Sequence, residues 1–309
     1  MMMIEVQNVT KKLNGRTILN GVSFEVNEGE IFGYLGPNGA GKTTTLNIIL
    51  GLLRPTSGKA LVFGKTLGEN DDLRRKVGVL LENNGLYERL SAYENLTYYA
   101  QLYSVSNIEE KIKVLLEFVG LLDRQSYKVG TFSKGMKRRL ALARSIIHDP
   151  DVLFYDEPSA GLDPEAQKMV RDLIIRLSEE KGRTIFLNSH DLDEVQRVCS
   201  RIAILQKGEI RAYDTVENLK RKFSKSVINI VLSDEKVAEK TLDFLEALDN
   251  VSDCEQQGSS ILATMKDPET STILSALINA GINVEEARKV EKSLEDIYLD
   301  IVRLSEGEI

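Results

Sequence analysis

The sequence predicts an α/β core followed by a smaller α+β domain of ferredoxin-like order. Three observations predict it. Apolar runs of strand length alternate with helical stretches, a glycine-rich turn sits directly between a strand and a helix, and beyond about residue 220 strands and amphipathic helices resume after a polar, charged link.

"IEVQNV", "VSFEV" and "IFGYLG" between residues 4 and 36 read as short strands, broken by the turn signals Asn14-Gly15 and Glu28-Gly29. The third strand runs into "GPNGAGKT", and a helix from about Lys42 to Leu52 follows. Between about 84 and 148 the character is helical, as in "SAYENLTYYAQLY" and "IEEKIKVLLEFVGLL". "DVLFYDEP" and "RTIFLNSH" are apolar enough to be buried parallel strands, separated by a helix over 164–180. A hairpin, "RIAILQKGEIRAYD", precedes the link "VENLKRKFSKS".

Domains over 1–219 and 220–309 are therefore expected. The second reads strand 227–232, helix 235–248, strands 251–256 and 260–265, helix 268–280, strand 282–289 and helix 293–304. Val237, Thr241, Phe244, Leu245 and Leu248 share one face of its first helix, and Leu294, Ile297, Tyr298 and Ile301 one face of its last.

The 309 residues are 42% apolar and 28% charged, ordinary values for a globular protein. Residues 1–219 hold 29 basic and 29 acidic side chains, whereas 220–309 hold 11 and 18, so the tail carries the whole net charge of −7. An acidic tail on a neutral body argues against a nucleic-acid partner. Cys199 and Cys254 lack metal or redox spacing and read as reduced thiols in a reducing compartment. "MMMIEVQNVTKKL" is not a signal peptide, and no run reaches the ~18 apolar residues of a membrane span. Work at a membrane would need another polypeptide to do the spanning.

From Gly36 to Thr43 the chain fits G-x-x-x-x-G-K-[ST]. Gly36, Gly39 and Gly41 let N–H groups converge on a phosphate, Lys42 reaches the β/γ oxygens, and the Thr43 hydroxyl suits Mg²⁺. Asp156 and Glu157 end an apolar strand where an open α/β sheet exposes its ligand side. Asp156 is the expected Mg²⁺ partner and Glu157 the group to polarise water. His190 ends another strand and can bond a γ-phosphate. A second anion site is offered by "TFSKGMKRRLALARS", where Ser133 and Gly135 open a helix. The cations Lys137, Arg138 and Arg139 read as a solvated helix face.

These residues resemble the ATP-binding cassette (ABC) ATPases over about 4–219. "GPNGAGKTT" is similar to their Walker A, "VLFYDEP" to Walker B with its catalytic glutamate, "SAGLD" to the D-loop, "NSHD" to the switch histidine and "FSKGM" to the signature motif. The resemblance implies a mixed sheet with antiparallel β and helical subdomains. It also implies that Gly36, Pro37, Asn38, Gly39, Ala40, Gly41, Lys42, Thr43 and Thr44 hold ATP, and that Ser133 and Gly135 bind the ATP of a partner copy while Asp163 communicates across the dimer. Each chain would then face two different nucleotides, which accounts for its two phosphate-facing loops.

Three departures from the family pattern stand out. Lys134 and Met136 replace glycine and glutamine, Glu82 replaces the Q-loop glutamine as catalytic and Mg²⁺ contact, and Leu13 stands where an aromatic stacks on adenine. "LYERLSAYENLTYY" falls where the family meets a membrane subunit, with Leu86, Tyr87 and Tyr93 as contacts. "KSLEDIYLDIVR" resembles the C-terminal helix of drug- and antibiotic-efflux ATPases. The resemblance thus implies an ATP-hydrolysing exporter subunit, dimeric with itself or a close relative, peripheral on the cytoplasmic face, with separate permease subunits. The tail is expected to serve scaffolding or dimer contacts rather than ligand sensing. The alternative is an ABC ATPase acting on ribosomes or DNA. Such chains usually carry two cassettes or a long insert, whereas Lys42 and Ser133 lie only 91 residues apart here.

Overall fold

The computed structural model describes residues 1–180, 182–223, 226–234, 237–266, 270–290 and 292–306. β1 (Met2–Leu13) and β2 (Arg16–Asn27) form a hairpin, and Asn14 and Gly15 at its turn take φ of 48° and 77°, as a two-residue turn between right-twisted strands requires. β3 (Ile31–Leu35) is buried throughout and leads through the glycine-rich loop into α1 (Lys42–Ile49). β4 (Ser57–Val62), α2 (Asp71–Arg74) and β5 (Val77–Leu80) follow.

The helical stretch contains α3 (Ala92–Leu102), α4 (Ile108–Phe118) and α5 (Lys134–Ser145). A reciprocal capping box starts α3: the Glu94 amide donates to Ser91 Oγ at 3.1 Å and the Ser91 amide to Glu94 Oε2 at 2.7 Å. The chain returns to the sheet with β6 (Val152–Asp156), α6 (Pro164–Glu179), β7 (Thr184–Ser189), α7 (Leu192–Val198), β8 (Arg201–Gln206) and β9 (Glu209–Thr215).

The main sheet runs β5-β6-β7-β3-β8-β9, parallel except for β9, and β2-β1-β4 form a separate antiparallel sheet. Phe24 on β2 joins the two, with its ring 5.4 Å from Phe32 and 5.2 Å from Tyr34 on β3, and 6.0 Å from Phe186 on β7. This is the expected mixed sheet with antiparallel and helical additions.

The chain divides into two compact units, one of Met1–Val216 with Ile301–Ile309 and one of Glu217–Asp300. After α8 (Val216–Phe223) come β10 (Ser226–Leu232), α9 (Ala238–Glu246), β11 (Val251–Gln257), β12 (Ser260–Met265), α10 (Thr270–Asn279), β13 (Val284–Val290) and α11 (Leu294–Glu306). The sheet order β11-β12-β10-β13, antiparallel throughout, is the ferredoxin-like arrangement expected. Its core gathers Ile228, Ile230, Ile261, Ala263, Leu245 and Leu277.

Two details differ from expectation. Val237 is 36% exposed because it is the N-cap of α9, outside the helical periodicity that buries Thr241 and Leu245. Strands β4 and β5 had no counterpart in the sequence reading. The starts expected for two helices at 235 and 268 lie outside the described residues.

Candidate functional site

Strand register assembles the site. Leu35 lies level with Ser189, and Asp156 with Asn188, so the segments leaving β3, β6 and β7 emerge side by side at the carboxyl edge of the parallel sheet. A cavity of about 390 Å³ opens there. Asn38, Gly39, Gly41, Lys42, Thr43 and Thr44 line one side, and Asp156, Glu157, Asn188 and His190 another, with Glu82, Ile18 and Ala160 completing it.

Close packing dictates two of the loop's glycines, Gly36 and Gly41. A Cβ on Gly36 would lie 2.3 Å from the Leu205 carbonyl oxygen, and Gly41 has φ of 113°. The Ala40 amide donates to Pro37 O at 3.1 Å, tightening the turn before α1. Lys42 is buried, and its Nζ donates to Gly36 O at 2.7 Å and lies 4.0 Å from Glu157 Oε1. Burial pushes its pKa down, and Glu157 and Asp156 oppose that shift.

Asp156 is 5% exposed, and burial raises its pKa further than the hydrogen bond from Asn188 Nδ2 lowers it; Glu157 and Glu82 add to the rise. Asn188 Oδ1 is buried without a hydrogen-bond partner among the described residues. Glu157 has φ of 50°, an uncommon conformation for a non-glycine residue. Its amide donates to Asn188 O at 2.8 Å, and its Oε2 lies 2.8 Å from His190 Nδ1.

Among the described residues no group of three or more His, Cys, Asp or Glu is arranged to hold a metal alone. Mg²⁺ bound together with phosphates needs only one or two protein carboxylates. Thr43 and buried Asp156 line one cavity together with Glu82 and Glu157, which fits that requirement.

Ser133, Gly135 and Asp163 do not line this cavity. Ser133 is exposed and caps α5, its Oγ accepting from the Met136 amide at 3.2 Å. Asp163 caps α6 by accepting from the Ala166 amide at 2.9 Å, and a Cβ on Gly135 would lie 3.2 Å from Ala166 Cβ. These three residues therefore gather around the start of α6. Leu13 ends β1, 40% exposed and outside the cavity lining.

The solvated face expected for Lys137, Arg138 and Arg139 is corrected by the structure. Lys137 pairs with Glu88 at 2.5 Å, Arg139 donates to Val119 O at 2.9 Å, and Arg138 is only 5% exposed. Burial lowers the Arg138 pKa to about 10, which leaves it charged at neutral pH. The sequence reading also missed Asn188, although its place beside Ser189 and His190 at the end of an apolar strand marked it.

Residues 19–160 match the family described as ABC transporter, and 215–302 match the C-terminal domain of DrrA1-3-like ATP-binding proteins. An uncharacterised ABC transporter ATP-binding protein of Bacillus subtilis (strain 168), YhcH, is 36% identical over 99% of this chain and 98% of its own length. The linearmycin resistance ATP-binding protein LnrL of the same strain is 33% identical over 97% and 98%. A solved dimeric ATP-binding cassette in a post-hydrolysis state, bound to ADP and Pi, superposes with a TM-score of 0.63 at 29% identity over 69% of this chain and 99% of that one. With relatives of nearly the same length named as ATP-binding proteins and a family match over residues 19–160, this chain belongs to the ATP-binding proteins of ABC transporters.

Proposed function

We propose that this chain hydrolyses ATP in a site closed by a second copy or a close relative, and so drives export of a drug- or antibiotic-like compound through separate permease subunits. The observation that carries the reading is the convergence of Lys42, Asp156, Glu157 and His190 on one cavity. The segment Gly36 to Thr44 cradles the phosphates, and Leu13 lies toward the base. Thr43, Asp156 and Glu82 would hold Mg²⁺, which would supply neutralisation of the phosphate charge. Glu157 takes a proton from the attacking water as its oxygen bonds the γ-phosphorus, the bond to the β,γ-bridging oxygen breaks, and ADP departs with that electron pair. His190 holds the γ-phosphate and orients the Glu157 carboxylate.

From the opposing copy, Ser133 and Gly135 present a hydroxyl and amides at a helix start, and Asp163 faces the seam. Their separation from the chain's own cavity supports this assignment. Tyr87, 45% exposed, packs edge-on against Tyr98, 43% exposed, at 5.0 Å. This aromatic surface, with Leu86 and Tyr93, is the proposed permease contact on the cytoplasmic face of the membrane. The name of the linearmycin resistance relative and the DrrA1-3-like C-terminal match support the exporter class.

Substituting Glu157→Gln preserves the phosphate cradle and removes the base. ATP affinity is expected to stay within about threefold while turnover falls about 10²–10⁴-fold, the usual contribution of a positioned base. Turnover at the wild-type rate would sink the role given to Glu157.

A further inference from the structure

One buried side chain ties both carboxylate-bearing segments to the helix that begins at Ser133. Arg138 lies in the second turn of α5, and its guanidinium uses all five N–H donors. Nε donates to Pro158 O at 2.7 Å. Nη1 donates to Leu81 O at 2.8 Å and to Asn84 Oδ1 at 2.9 Å. Nη2 donates to Asp156 O at 2.8 Å and to Glu157 O at 2.7 Å. Three successive carbonyls of the turn that aims Asp156 and Glu157 are thus held together with the segment that carries Glu82.

The geometry is specific to arginine. A planar fork of five donors reaches two backbone segments at once, whereas lysine offers three donors from a single point and glutamine offers two. Glu157 depends on the arrangement in particular. Its left-handed backbone is tied on one side by Asn188 O and on the other by Arg138. Without the guanidinium, the Asn188 tie remains and the Glu157 carbonyl keeps only the local bond from the Ala160 amide at 3.2 Å.

We propose that Arg138 is a positioning residue for hydrolysis, fixing the main chain that aims Glu157 and Glu82 and making the placement of α5 felt at those carboxylates. The inference rests on the reading of Glu157 as the group that activates water. It adds a physical link within one chain: the helix whose first turn would meet a partner's nucleotide also braces the chain's own hydrolytic carboxylate. Nucleotide contact at Ser133 and water activation at Glu157 are joined by fewer than two turns of helix.

The test uses the full chain with Arg138→Lys, Arg138→Gln and Asn84→Ala, the last removing a single acceptor. Three quantities are read: affinity for a fluorescent ATP analogue, the single-turnover rate per bound ATP, and the thermal midpoint. Both Arg138 variants are expected to lose about 10²-fold in single-turnover rate, the scale set by a misplacement of about 1 Å, with affinity within about threefold of wild type. Asn84→Ala is expected to lose several-fold at an unchanged thermal midpoint. Because the rate is taken per bound ATP, a smaller folded fraction does not mimic the effect. If Arg138→Gln does not fold, the other two variants decide. Wild-type single-turnover rates in Arg138→Lys and Asn84→Ala would overturn the proposal, as would a loss confined to affinity. Should Glu157→Gln turn over like wild type, the role of Glu157 fails instead, and the two failures are told apart.

Discussion

Glu194 shows how a buried carboxylate outside the cavity conditions the residues within it. It is 5% exposed and accepts hydrogen bonds from Ser159 Oγ, just after the carboxylate pair, and from Ser189 Oγ at 3.2 Å, just before His190. Burial raises its pKa, the Ser159 bond lowers it, and the nearby charges of Asp191 and Glu157 raise it again. A carboxyl whose pKa is higher in the fold binds a proton more readily there than in the unfolded chain. Stability therefore falls as pH rises from the ordinary carboxylate range through the folded pKa, and the cost is fully present above it. Glu194→Gln removes that cost, so the stability of the variant relative to wild type is expected to grow across this window. Thermal midpoints measured at a series of pH values check it, and a difference that stays flat with pH contradicts it. Residues of the glycine-rich loop and the carboxylate pair were legible because their chemistry requires fixed spacing. Arg138 was misread as solvated because a run of three cations masks its position. Yet it shares a stripe with Ala141, Leu142 and Ser145, at i+3, i+4 and i+7, all buried. A charge on an otherwise apolar or small stripe signalled burial with partners.

At the level of elements, β6 and β7 were readable as near-continuous apolar runs, because strands covered on both faces keep little polar character. β4 and β5 were not. The first half of β4 is exposed, and β5 has four residues, one of them glycine. That glycine has a physical reason: a Cβ on Gly78 would lie 2.2 Å from the Ser145 carbonyl oxygen at the end of α5 and 2.6 Å from Leu153 Cδ2 on β6. The helix that carries Arg138 is seated directly on bare strand backbone. Gly78→Ala must push α5 or β6 away, and a cost of about 1–3 kcal/mol is expected, as for other overpacked interiors. The urea midpoint reads it, and an unchanged midpoint would show that the seat has room. The amphipathic faces of the last domain were read correctly where periodicity extends over a full helix, as with Leu294, Ile297 and Ile301. Val237 failed because a cap has no fixed face.

For the whole molecule, the division of labour follows from chemistry placed on two surfaces of one unit. Lys42, Asp156, Glu157 and His190 share a cavity, while Ser133, Gly135 and Asp163 gather elsewhere around the start of α6. Among the described residues no helix is long and apolar enough to cross a membrane. Motif order and the charge step near residue 220 pointed to a division of the chain, and the family resemblance alone implied that its two phosphate-facing loops serve different nucleotides; no local pattern separates the two loops in space. Strand register and helix packing decide that, and both are long-range. The measurement that tests the arrangement most directly is sedimentation of full-length Glu157→Gln with and without ATP, beside Glu157→Gln carrying Ser133→Arg. The first is expected to become a dimer only with ATP, and the second to bind ATP yet remain a monomer, because the proposed arrangement sets position 133 against nucleotide held by the other copy. A doubly substituted chain that dimerises as readily as the single variant, or a single variant that binds ATP and stays monomeric, would contradict a site shared between two copies.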